Sequence, residues 1–201
     1  MQVFRVVSKL DFATLVFMMS VCLSFLAAQV SCSQTIQANQ LPLNGYTEFR
    51  RLIFHHLSNK DFTQADQAIN ELAKKHPKFY GSHVLSSYSM AAQNSYDKAM
   101  EALKAAKQDE NYKEYYLDSA RIHSTFKKYN EAINHYLEYK KNNDLDSYIM
   151  AELGECYREN GDFKKALTQY ESALKIARDE FEKYLALQGI ATVKYRNKDY
   201  Q

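Results

Sequence analysis

The stretch NGDFKKALTQYESAL, Asn160 to Leu174, reads as a turn followed by an amphipathic helix. Asn160 and Gly161 both tolerate the left-handed conformation that stops a helix, and Asp162 is a good cap for the next one. The outline recurs upstream in NKDFTQADQAINEL from Asn59, NSYDKAMEALKAA from Asn94 and KKYNEAINHYLEY from Lys127, and NKDYQ begins it again at Asn197. Setting Phe62, Tyr96, Tyr129, Phe163 and Tyr200 equivalent gives spacings of 34, 33, 34 and 37 residues. A period in that range is the signature of a helical solenoid.

If the shared aromatic is position 17, the units are 46–79, 80–112, 113–146 and 147–180, with a partial fifth at 184–201. Ala65, Ala99, Ala132 and Ala166 then all fall at position 20, and Ala120 and Gly154 at position 8. Small residues are needed where two helices cross closely, and a Leu there would cost about 1–3 kcal/mol through overpacking. Large residues at positions 17 and 24, such as Phe163 with Tyr170 or Tyr129 with Tyr136, fill the wedge beside the crossing. Each contributes about 1.5–3 kcal/mol when buried.

These units resemble tetratricopeptide repeats. The fourth matches best, with Leu153, Gly154 and Tyr157 in its first helix, Gly161, Asp162 and Phe163 in its turn, and Ala166, Tyr170 and Ala173 in its second helix. Met150 stands where the family has a large aromatic, and Arg178 where it has Pro. The resemblance covers residues 46–201 and implies an all-α, right-handed superhelical solenoid of antiparallel helix pairs.

The turns differ in quality. Asp61 and Asp199 match Asp162, whereas Ser95 and Lys128 take that place in units two and three, so the third unit is expected to be the least well capped. Pro77 biases His76 away from helical angles and ends the second helix of unit one. Between units four and five nothing breaks the helical pattern of ALKIARDEFEKYLALQGIATVKY, which predicts longer helices or a tight turn near Asp179 to Glu182. Unit five shows a first helix without a second, and the polypeptide is expected to continue past Gln201.

Residues 1–31 stand apart. Arg5 and Lys9 precede the uncharged run Phe12 to Ala28, and small residues follow in QVSCSQT. This describes a secretory signal processed between Ala28 and Ser33, with an uncleaved membrane anchor over residues 12–28 as the competing reading. A third reading is lipid attachment at Cys32, since QVSC resembles a lipoprotein box. All three place the rest of the chain outside the cytoplasm, periplasmic or extracellular. The polar stretch 32–45 reads as a linker.

Composition narrows the function classes. With 5 Gly and 2 Pro among 201 residues there is little material for phosphate loops or hairpins. Lys plus Arg, 26, nearly balances Asp plus Glu, 24, and the charges are interspersed, which leaves no nucleic-acid footprint. No H-E-x-x-H, C-x-x-C, G-x-S-x-G or P-loop pattern occurs, so neither an enzyme nor a cofactor or metal site is expected. His56 and His123 at position 11, and His83 at position 4, read as replacements for packing aromatics. Adjacent His55 and His56 point about 100° apart and cannot form a helical metal pair. Glu152 and Glu155 read as solvated surface, and Cys156 as a small buried residue.

What remains is surface. The family resemblance implies that the first helices line a concave groove, and its groove positions fall on Arg50, Phe54, Tyr88, Leu117, Arg121, Tyr148, Glu155, Arg158, Gln188 and Tyr195. Such a groove, apolar at its first end and mixed in charge at its second, implies a protein or peptide partner, with aromatics and arginines as anchors. The spacing around unit five also resembles the sensor region of membrane histidine kinases. An alternative reading is a glycan or small-molecule module of an outer-membrane uptake system, in which Tyr88, Tyr148 and Tyr195 supply stacking faces.

Overall fold

The computed structural model describes residues 43–198. The apolar run, most of the linker, and Asp199 and Tyr200 lie outside them. Nine helices follow one another among the described residues: α1 Leu43–Ser58, α2 Phe62–Lys75, α3 Gly81–Ala92, α4 Tyr96–Ala106, α5 Tyr115–Thr125, α6 Tyr129–Lys140, α7 Ser147–Glu159, α8 Phe163–Ile176 and α9 Glu180–Lys198. Each helix packs mainly on its sequence neighbours, as a solenoid requires. No described helix is long and apolar enough to cross a membrane.

The small-residue positions are where the sequence puts them. Ala65, Ala99, Ala132, Ala166 and Ala120 are all fully buried. Tyr136 and Tyr170, at position 24, are 1% and 2% exposed. The Tyr170 ring is gripped from two sides: a Cβ built on Gly154 of α7 would come within 3.0 Å of it, and one built on Gly189 of α9 within 2.3 Å. The grip by Gly189 joins α9 to the fourth unit, and it was not read from the sequence. Three core clusters run along the array, one within unit one and Leu85, one around α3 to α5, and the largest spanning α5 to α9.

One turn is built four times. Lys60, Asn94, Lys127 and Gly161, all at position 15, are left-handed, with φ of 59°, 59°, 58° and 85°. The following amide reaches back five residues each time, as in Asp61 to the His56 carbonyl at 2.9 Å and Asp162 to the Tyr157 carbonyl at 2.9 Å. These are Schellman closures. Asn160, expected to share the left-handed role, is right-handed at φ −81°, because Gly161 alone satisfies the closure. Asp61 and Asp162 cap their helices through the amides of Gln64 and Lys165. Ser95 makes no side-chain cap bond, so unit two is as bare as unit three.

Two boundaries depart from the sequence reading. Helix α1 begins at Leu43, inside the stretch assigned as linker, and Tyr46 in its first turn packs edge-on against Phe79 at 5.0 Å. Between α8 and α9 the turn is Ala177 to Asp179. Asp179 accepts the Glu182 amide at 2.8 Å, and the Glu182 carboxylate returns to the Arg178 amide at 2.8 Å. This reciprocal cap is written in the sequence as D-x-x-E. His83 is exposed, not a packing residue, since its helical position faces solvent.

Histidines line the seam between units two and three. His123 is 6% exposed and stacks on His135 with centroids 4.8 Å apart, while the Tyr96 hydroxyl lies 3.1 Å from its Nδ1. Burial, with the neighbouring His135, lowers the His123 pKa to about 4. The unfolded imidazole takes up its proton near pH 6.5, so acid favours unfolding below that pH until the folded His123 also titrates.

Three outcomes test this account. Lowering the pH from 8 to 5 should reduce stability by on the order of 1–2 kcal/mol through His123, and His123→Phe should flatten that dependence in urea titrations. Lys127→Gly should stabilise by about 1 kcal/mol, since only Gly enters the left-handed region without penalty. Gly189→Ala should destabilise by about 1–3 kcal/mol in the same assay by displacing the Tyr170 ring.

Candidate interaction groove

Along α7, residues 148, 152, 155 and 159 lie at spacings of four, three and four, which places Tyr148, Glu152, Glu155 and Glu159 on one helical face. That face opens onto a cavity of about 520 Å³ framed by α5, α7 and α9, with the hydroxyl ends of Tyr136 and Tyr170 rising from α6 and α8. Arg121 of α5 lies across Glu152, its Nε 3.1 Å from both carboxylate oxygens, and Tyr136 donates to Glu152 Oε2 at 3.3 Å. One turn further on, Tyr170 donates to Glu155 Oε2 at 2.7 Å and Arg158 Nε to the same oxygen at 2.8 Å. The Arg158 guanidinium also holds Glu155 and Glu159 through one terminal nitrogen.

The two carboxylates differ. Burial raises the Glu152 pKa above the ordinary carboxylate range, against the pull of Arg121. The hydrogen bonds from Arg158 and Tyr170 hold Glu155 below that range, against a smaller burial effect. Burial is also the main reason that the Tyr136 and Tyr170 hydroxyls stay protonated well beyond the usual range. The cavity therefore has a polar floor whose acids and bases are already matched. Tyr148, 42% exposed, and Leu185, Gln188 and Thr192 of α9 supply its open sides.

Of the residues assigned to the groove from sequence, Arg121, Tyr148, Glu155, Arg158 and Gln188 meet in this cavity. Arg50, Phe54 and Tyr88 form a separate group at the first end: the Arg50 guanidinium sits over Phe54 at 5.6 Å and the Phe54 ring tilts against Tyr88 at 5.3 Å. The Tyr88 hydroxyl donates to Asp118, which also accepts from Tyr112 at 2.6 Å. Leu117 is 6% exposed and belongs to the core, where it joins the cluster that includes Tyr136, Leu145 and Ile149. Tyr195 is 71% exposed on α9 but does not line the cavity.

Glu152 was misread as solvated. Its signal was available in the i, i+3 spacing to Glu155, which aims both at the same side. Its partner, Arg121, lies 31 residues away in the preceding unit and was invisible locally. Cys156 is buried beside Ser124, and burial pushes its thiol to about 11, so it is a packing residue. No group of three or more potential metal ligands occurs among the described residues.

Fold and groove together define a helical-repeat protein whose first helices enclose a concave surface. Residues 147–180 match the tetratricopeptide repeat family model, and the helical array around them has the fold of tetratricopeptide-repeat structures. No curated protein matches it by sequence. Its fold is similar to that of a thermophilic TPR protein from Thermus thermophilus, with a TM-score of 0.60 and 18% identity over 83% of this chain and 96% of that one. It is similar to pilF of Pseudomonas aeruginosa, with a TM-score of 0.60 and 18% identity over 77% of this chain and 70% of that one. It is also similar to a chain of the APC/C hetero-tetramer Cut9–Hcn1, with a TM-score of 0.61 and 16% identity over 77% of this chain and 31% of that one. Proteins of this fold generally mediate protein–protein interaction and are generally scaffolds without catalysis.

Removing one member of the Arg121–Glu152 pair leaves a charge that is about three-quarters shielded from water. Glu152→Gln should cost about 1–2 kcal/mol in urea denaturation, less than a fully buried pair would. A double-mutant cycle with Arg121→Gln should recover about 1 kcal/mol of coupling.

Proposed function

We propose that this protein is an exported scaffold that binds a peptide or helix of a protein partner in the cavity between α5, α7 and α9, and that it has no catalytic activity of its own. The observation that carries the reading is the cavity itself: an open concavity with an exposed aromatic, Tyr148, above a floor of pre-paired charges. Half-exposed aromatics beside ordered arginines are the usual anchors of protein interfaces. Internally matched acids and bases fix the floor without demanding a charged ligand. Export rests on the basic start, apolar run and small-residue exit of residues 1–31. As part of a longer membrane protein, the same groove would serve as a sensor.

The glycan alternative needs several stacking faces. Only Tyr148 of its three tyrosines lines the cavity, and Tyr88 is engaged by Phe54 and Asp118. The protein-partner reading is therefore favoured.

A photoreactive amino acid in place of Tyr148 should form a discrete protein adduct in cells, while the same residue at exposed Lys104 of α4 should not. Equal labelling at both positions, or at neither, overturns the groove assignment. Fusing residues 1–45 to a reporter that is active only outside the cytoplasm should give activity. A silent, stably expressed fusion would overturn export.

A further inference from the structure

We infer that the junction between units two and three is an acid-released joint, at which the His123–His135 pair lets units one and two swing away from the rest of the array while the helices themselves stay folded. Two polar contacts made by α5 hold this junction. Asp118 accepts from Tyr88 of α3 and from Tyr112 at 2.6 Å. Five residues on, His123 meets the Tyr96 hydroxyl of α4 at 3.1 Å. Five residues advance an α-helix by about 7.5 Å and turn it by about 140°, so the two contacts grip α5 from different sides. The first is made by hydroxyls, whose ordinary pKa of about 10 leaves them unchanged between pH 8 and 5. It serves as the pivot, and the second contact as the latch.

The latch does not take up charge without loosening. The His123 and His135 rings lie within 19° of parallel, so a proton on each sets two like charges face to face. His135 Nδ1 is buried without a hydrogen-bond partner, and an imidazolium there would carry a donor with no acceptor. Neighbouring charges do not compensate. Glu131 and Glu138 of α6 favour the charged forms of His123 and His135, but Lys128 before α6 and Lys107 after α4 oppose them. Both lysines are kept beside the pair by aromatic faces, Lys128 over Tyr96 at 4.7 Å and Lys107 over Tyr115 at 4.2 Å. The remaining neighbours from α5, Ser119, Tyr115 and Tyr116, are uncharged. Burial lowers the pKa of both imidazoles, helped by His135 at His123 and by Lys107 at His135. Water that reaches the rings in an open joint restores their ordinary titration, so acid favours the open form from about pH 6.5 downward. The next junction responds with the opposite sign. Burial raises the Glu152 carboxyl, which therefore binds its proton more readily when closed, and acid does not release it.

Thiol labelling of the native full chain in mild detergent tests the joint. Ile122→Cys places a thiol beside His123 in the core shared with unit two, and Leu103→Cys places one on α4; both sites are 0% exposed. Cys156, 1% exposed and beside Ser124 of the preceding unit, reports on the next junction in the same molecule. Each labelling rate, read by mass spectrometry and divided by the rate of the same thiol in the urea-unfolded chain, gives an open fraction. From pH 8 to 5 that fraction should rise on the order of tenfold at positions 122 and 103. It should exceed the fraction at Cys156 and depend less on added urea, since a joint exposes less surface than whole-chain unfolding. His123→Phe should remove most of the rise, and helical circular dichroism should persist at pH 5. The inference is overturned if positions 122 and 103 open no more in acid, or if the rise is unchanged in His123→Phe. Equal open fractions at Cys156 and at the joint would overturn it too, since the chain would then open only as a whole.

Discussion

The array depends on helices approaching closely enough to grip a ring between them. At each crossing a methyl group or a hydrogen faces the neighbouring helix, and the space saved is filled by an aromatic from the second helix of the unit. Tyr170 shows the limit of this arrangement, with glycines on both sides and its hydroxyl carried through to Glu155. Packing and polar organisation are therefore one feature. A ring that moved would release the carboxylate with it.

The same logic operates between units. Tyr136 of unit three reaches Glu152 of unit four, and Arg121 spans the same junction. Since stacking of neighbours stabilises a solenoid, these bonds help to fix the angle at which one pair of helices meets the next. The seam between units two and three is held differently, by the Tyr96 ring and hydroxyl against His123, whose burial favours the uncharged imidazole. The array is thus joined by several distinct chemistries, one of which is sensitive to acid.

Repeat period, crossing residues and turn positions were legible because each is a local demand made several times over. A single Lys in the left-handed region would have been unreadable; four residues at one position, ending in Gly161, make the demand plain. The groove was only half legible. Arg121, Tyr148, Glu155, Arg158 and Gln188 converge as the family pattern implies, but Leu117 is drawn into the core by neighbours from α6 and α7 that no local pattern reveals. Glu152 failed for the complementary reason: a carboxylate on a helix surface is ordinarily solvated, and only the partner 31 residues away makes it structural. Gly189 was missed because its role is set by a ring in the preceding unit.

The matched charges of the groove have a kinetic meaning. A binding surface with an excess of one sign attracts its partner from beyond the Debye length, and salt then slows association. Here each arginine is spent on a carboxylate within its own wall, so little field projects into solvent. A partner would arrive by unguided collision, at about 10⁵–10⁶ M⁻¹s⁻¹. Its residence time, set by how well it covers Tyr148, would then decide between partners at any ionic strength.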